Sequence, residues 1–79
     1  MYDYSNLVRI NEGDEMDIEP LECYPVATNE DGWTLMEFDL TFYDSPVCIE
    51  TVCKLFPYYE GIDTGKGYIL VKDGVFYYE

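Results

Sequence analysis

The clearest alternation in the chain runs from residue 34 to residue 43. Thr34, Met36, Phe38, Leu40 and Phe42 fall on one side, and Leu35, Glu37, Asp39, Thr41 and Tyr43 on the other. Side chains of an extended chain alternate with period two, so this stretch predicts a strand with its even positions on a core and Glu37 and Asp39 on a wet face. Upstream, Met16 and Ile18 alternate with Glu15, Asp17 and Glu19 before Pro20 and Pro25 interrupt. Proline cannot donate to a ladder, so this run predicts an edge strand with a bulge. Asn29-Glu30-Asp31-Gly32 reads as the turn between the two strands, which would set Thr28 opposite Trp33, Tyr24 opposite Glu37 and Glu22 opposite Asp39.

Beyond residue 43 the period changes. Asp44-Ser45-Pro46 offers a capping side chain followed by proline at a first helical position, and Ile49, Val52, Cys53 and Phe56 recur at helical spacing until Pro57. This predicts one short helix, although the β-branched residues Val47, Ile49, Thr51 and Val52 leave a buried strand open over 46–56. Residues 57–67 hold Gly61, Gly65 and Gly67 and read as a loop. The last two apolar runs, 68–72 and 75–78, flank Asp73-Gly74, a two-residue hairpin signal that pairs Leu70 with Tyr77 and Val71 with Phe76. Residues 1–13 predict only a short strand or a turn of helix. The expected fold is α+β: a small antiparallel sheet of about four strands, in the order β-β-α-β-β, with one short helix packed on its apolar face.

Composition places limits on that picture. Seventy-nine residues predict a single domain over 1–79 with a compact core. Apolar residues at 48% and aromatics at 18% are too many for a disordered acidic tail. Cys23, Cys48 and Cys53 are odd in number and no histidine is present to complete a zinc set, so we expect reduced, buried thiols. The run MYDYSNLVRI lacks the apolar stretch of a secretory leader, and no run is long and apolar enough to span a bilayer. Together these features predict a cytoplasmic protein, in the host cytoplasm if the chain is phage-encoded.

Charge changes the picture most. Seventeen acidic residues face four basic ones, Arg9, Lys54, Lys66 and Lys72, for a net charge of -13. Binding to nucleic acid or to an anionic membrane depends on basic side chains, so neither is an expected direct partner. A basic protein surface is. Solubility alone asks for a net charge of only about 2–8 in a small domain.

Candidate chemistry is sparse. Without histidine, Ser-His and Cys-His nucleophile systems are excluded. Asp63-Thr64-Gly65 spells the short signature of aspartic proteases, but no apolar strand leads into it and a plain glycine turn accounts for it. The Gly65-Lys66-Gly67 run lacks the spacing and the following Ser or Thr of a phosphate loop, and the acidic stretch lacks calcium-loop ligands. We therefore expect no enzyme, cofactor or metal.

What remains is geometric. Along a strand, Glu15, Asp17 and Glu19 would share one face at about 6.6 Å spacing, close to the separation of successive phosphates along one nucleic-acid strand. Glu22, Glu37 and Asp39 would extend this carboxylate row across the neighbouring strand. A charged edge that only prevents sheet-to-sheet aggregation is the plain alternative. Tyrosine is the second anomaly, with nine copies. Tyr68 and Tyr77 are core candidates, while Tyr2, Tyr4, Tyr58 and Tyr59 would rim the acidic face, where carboxylates and rings together suit arginine.

The expected partner-binding residues are thus Glu15, Asp17, Glu19, Glu22, Glu37, Asp39, Tyr58 and Tyr59. In size, acidity and aromatic content the chain resembles, as a class only, the small acidic inhibitors that phages make against CRISPR effectors, restriction enzymes and DNA-repair enzymes. That resemblance implies a nucleic-acid mimic that occupies a basic nucleic-acid-binding surface of a host protein. The alternative is a small assembly subunit that meets a basic partner through its edge strand and tyrosines. Monomer and homodimer both remain open.

Overall fold

Asp73 and Gly74 both take positive φ angles, 52° and 78°, which reverses the chain in two residues with a twist that matches the flanking strands. The strands it joins, β4 (Lys66–Lys72) and β5 (Val75–Tyr78), pair in the expected register, Leu70 with Tyr77 and Val71 with Phe76. This computed structural model describes residues 4–10, 23–39 and 45–79. Ahead of the hairpin lie a 3-10 turn (Tyr4–Asn6), β1 (Val8–Arg9), β2 (Tyr24–Thr28), β3 (Thr34–Asp39) and α1 (Ile49–Leu55).

Among the described residues five strands form one antiparallel sheet in the order β1-β5-β4-β3-β2. The α+β class stands, with one strand more than expected. The addition is β1, whose Val8 and Arg9 pair with Tyr78 and Tyr77. Over residues 1–13, where a short strand or a turn of helix is expected, both a 3-10 turn and the two-residue β1 occur.

The β2–β3 connection is the expected turn. Asn29 Oδ1 accepts from the backbone N–H groups of Asp31 and Trp33, at 3.1 and 3.0 Å, and Gly32 follows at φ 85°, a conformation that costs glycine nothing. Thr28 then pairs with Thr34 rather than Trp33. A bulge between Pro25 and Ala27 absorbs the slip and restores Tyr24 to Glu37. Among the described residues β2 is thus an edge strand with a bulge, as expected. The 15–19 strand proposed ahead of it lies outside the described residues.

The helix starts later than the Ser45-Pro46 signal implied. Ser45 Oγ accepts the Tyr68 N–H at 2.9 Å, and Val47 N–H donates to the Tyr68 carbonyl at 3.1 Å. These bonds hold 45–47 against β4 instead of in a helical turn. Cys48 becomes the N-cap without a capping side chain of its own. The carboxylate of Glu79 replaces it, accepting from Cys48 N–H at 3.2 Å and Thr51 Oγ1 at 2.6 Å, and anions are favoured at a helix start. Pro57 follows the Phe56 C-cap and ends the helix as expected.

The core sits between α1 and one face of the sheet. Val47, Val52, Leu55 and Phe56 meet Trp33 and Leu35 of the β3 segment and Tyr68 and Leu70 of β4. This corrects the expected facing of β3, because the helix covers its odd positions rather than its even ones. The even face is also partly covered: Phe38 and Ile69 are 5% and 1% exposed, and Thr34, Met36 and Val71 are half-buried. Apolar side chains thus occupy both faces of the β3–β4 pair, and alternation alone could not rank them. The burial expected for the cysteines is also corrected. Cys48 and Cys53 are exposed and Cys23 is half-buried, and none of the three is in a disulfide; on the helix, Thr51, Val52 and Leu55 already fill the inward stripe. Among the described residues no helix is long and apolar enough to cross a membrane.

Candidate functional site

On the helix-covered face of β3, Glu37 sits two residues beyond Leu35, so its carboxylate points into the core and is 7% exposed. The expected wet position is therefore corrected. A buried carboxylate is costly unless its oxygens are hydrogen-bonded, and three tyrosines meet that need. Tyr24 donates to Oε1 at 2.5 Å from the paired position on β2. Tyr68 of β4 and Tyr59 of the following loop donate to Oε2, at 2.9 and 3.0 Å.

The cluster reaches further into the loop. Tyr68 Oη accepts the Asp63 N–H at 2.9 Å, and the Tyr59 hydroxyl has the Gly61 carbonyl, at 3.0 Å, as a second acceptor beside Glu37 Oε2. Ionising any of these phenols is disfavoured, so their pKa values rise. Burial is the main cause for Tyr59 and Tyr68, and the hydrogen bond to Glu37 is the main cause for Tyr24. No buried side-chain nitrogen or oxygen among the described residues lacks a partner.

Tyr59 also belongs to the wall of an open groove of about 780 Å³. One side is Val26, Ala27 and Thr28 of β2 with Asn29, Glu30 and Asp31 of the turn. The other is Lys54 to Tyr59, at the end of α1 and beyond, and Tyr4 also contributes. The volume falls within the range of about 300–1,000 Å³ typical of small-ligand sites.

Its walls are tied together. Asn29 Nδ2 donates across to the Leu55 carbonyl at 3.3 Å, and Tyr4 Oη donates to Asp31 Oδ2 at 2.6 Å. The Tyr4 ring stacks on Trp33 at 5.0 Å between centroids and 8° between planes. Trp33 in turn meets the edge of Tyr77 at 4.9 Å and the ammonium of Lys72 at 5.3 Å. Tyr58, on the groove's rim, is 92% exposed.

Of the expected binding residues, Glu15, Asp17, Glu19 and Glu22 lie outside the described residues. Glu37 is internally satisfied. Asp39 is exposed but paired with Lys66, whose ammonium pKa the contact raises. Tyr58 and Tyr59 come together in the groove. Glu30 and Asp31 were read only as turn residues, yet they line the same groove as those rings. The signal available was Tyr4 and Tyr58 in polar contexts together with the acidic turn, and the sequence does not show that they adjoin.

Asp63-Thr64-Gly65 is a turn. The Asp63 carboxylate accepts the Gly65 N–H at 2.8 Å and its carbonyl accepts the Lys66 N–H at 3.0 Å, which starts β4. Among the described residues no group of three or more His, Cys, Asp or Glu side chains is placed to hold a metal ion. Compared with family models, curated proteins and solved structures, the chain gives no match. What the structure itself defines is a small five-stranded antiparallel sheet with one helix on it, a tyrosine-clamped carboxylate inside and an acidic, aromatic groove at its edge.

Proposed function

We propose that this protein is a non-catalytic inhibitor that binds a basic, nucleic-acid-binding surface of a host protein and excludes the nucleic acid from it. One observation carries the reading: a net charge of -13 in which three of the four cations are already engaged within the fold. Lys54 pairs with Glu50 at 3.2 Å, Lys66 pairs with Asp39, and Lys72 lies over Trp33. The net charge already includes these cations, so the summed field around the fold is strongly negative and acts on whatever approaches. Such a field speeds encounter with a basic partner and makes it sensitive to salt. The exposed ring of Tyr58, which lines the same groove as Glu30 and Asp31, adds contact area of a kind enriched at interfaces. The protein would act in the cytoplasm, at one copy per target.

The test is capture from a lysate of the source cell, followed by competition. Immobilised protein should retain a nucleic-acid-handling protein at low salt and release it when duplex DNA or structured RNA is added. Stoichiometric amounts of the free protein should in turn block that partner's own nucleic-acid binding. The charge-reversed variant Asp17→Lys/Glu19→Lys should capture less. A partner held equally at high salt, in the variant and against nucleic acid would overturn inhibition by mimicry. It would support instead a small assembly subunit that uses its edge strand and tyrosines.

A further inference from the structure

The groove beside β2 combines features that suit one kind of side chain. Its floor includes the apolar groups of Val26, Ala27, Leu55, Phe56 and Pro57, and its rim carries Glu30, Asp31 and the open ring of Tyr58. Asp31 uses Oδ2 for Tyr4, which leaves Oδ1 free among the described residues, and Glu30 has no ion-pair partner among them. The groove's one cation, Lys54, is turned to Glu50 on the helix surface. Arginine has an apolar stem, a planar fork that matches a carboxylate and a face that stacks on aromatic rings. Lysine has only the stem and a point charge.

From this complementarity we infer that the groove receives an extended, arginine-bearing segment of the basic partner. The guanidinium sits on Glu30 and Asp31 against Tyr58, and the stem and neighbouring backbone lie along Val26 to Thr28. The inference deepens the function proposed above and rests on it for the nature of the partner. Two observations indicate that the groove is formed in advance. Asn29 ties the acidic turn to the end of α1, and Glu37 and the Gly61 carbonyl hold the Tyr59 hydroxyl. A site that need not order itself loses less affinity on binding. Among the described residues nothing pairs with the outer side of β2, although Pro25 has no N–H to offer there. Side-chain recognition therefore dominates over strand addition.

The test uses short synthetic peptides in which arginine, lysine or citrulline alternates with glycine, titrated into isotopically labelled protein and read by amide NMR. Shift changes should concentrate in 26–31 and 54–59, with arginine bound more tightly than lysine and citrulline failing to bind. Tyr58→Ala should weaken the arginine peptide about threefold, the scale of one exposed cation–π contact. Glu30→Gln/Asp31→Asn should weaken it about tenfold, as expected for loss of charge-assisted bonds. Asp73→Asn removes one charge from a residue that does not line the groove and should change little.

Shift changes spread over the whole surface, with Asp73→Asn as damaging as Glu30→Gln, would overturn the groove and leave only a diffuse acidic field. Failure of every peptide to bind, while the captured partner still binds, would overturn the groove and spare the proposed function. Loss of partner capture itself would strike the proposed function instead.

Discussion

Replacing Tyr68 by phenylalanine isolates what the buried carboxylate requires. The ring stays, so the packing of this fully buried side chain changes little, but two hydrogen bonds go. One is donated to Glu37 Oε2 and the other is accepted from the Asp63 N–H, both at 2.9 Å. A hydrogen bond to a charged group contributes about 1.5–3 kcal/mol, and the Asp63 N–H can turn to water because that residue is exposed. The expected loss is therefore about 2–3 kcal/mol, from a total of about 4–12 kcal/mol for a chain of this size.

The assay is urea unfolding followed by the fluorescence of Trp33, the single tryptophan, which leaves its contacts with Tyr4 and Tyr77 on unfolding. With a slope of about 1 kcal/mol/M, the midpoint falls by about 2–3 M. Tyr24→Phe is the control. Its bond to Glu37 is shorter, at 2.5 Å, but Tyr24 is 43% exposed, so water replaces the lost partner and the cost is smaller. In a cycle with Glu37→Gln, the Tyr68→Phe loss should shrink by about 1–2 kcal/mol. If Tyr24→Phe costs as much as Tyr68→Phe, or if the two cycle mutations simply add, burial is not what gives the cluster its importance and the reasoning fails.

Alkali should act on the same cluster. The fold favours the neutral form of Tyr24, Tyr59 and Tyr68, so their pKa values lie above the ordinary 10. Stability should fall as the pH rises above that value, because the unfolded chain ionises first, with Tyr59 and Tyr68, whose shifts come mainly from burial, contributing to the loss. Unfolding free energies measured beside tyrosinate absorbance would show this, and a flat profile above pH 10 would contradict it. Gly67→Ala would drive a Cβ into the Phe38 ring across the β3–β4 pair. It should cost about 1–3 kcal/mol in urea unfolding, and Phe38→Leu should relieve part of that loss. A loss that Phe38→Leu leaves unchanged would point to another cause. Glu79→Ala removes the carboxylate that caps α1 from the far end of the described chain, and a cap of this kind contributes about 1 kcal/mol. The thermal midpoint should fall, and Glu79→Gln, which keeps an acceptor oxygen, should recover part of it.

The features read correctly from the sequence are those whose causes lie close together in the chain. Asp73-Gly74 sets a two-residue reversal, and with it the register of Leu70 on Tyr77, because only a few residues tolerate two successive positive φ angles. Pro25 marks an edge because it has no N–H. Pro57 stops the helix for the same reason. Asn29 and Gly32 make their turn with their own atoms. The composition likewise established the charge and the lack of histidine chemistry without any structure.

Other features waited for contacts between distant segments. The facing of β3 was not legible because both of its sides are apolar enough to be buried. The helix settled on Leu35 because Trp33, Tyr68 and Leu70 complete that surface. Glu37 looked like surface charge, and it is buried only because Tyr24, Tyr59 and Tyr68, from 13 to 31 residues away, bring hydroxyls to it. The same closure brings Glu30 and Asp31 into one groove with Tyr58 and Tyr59. Local preferences are properties of a few neighbouring residues and can be read in order along the chain. The burial of a charge and the shape of a groove depend on which remote atoms arrive, and only the folded chain decides that.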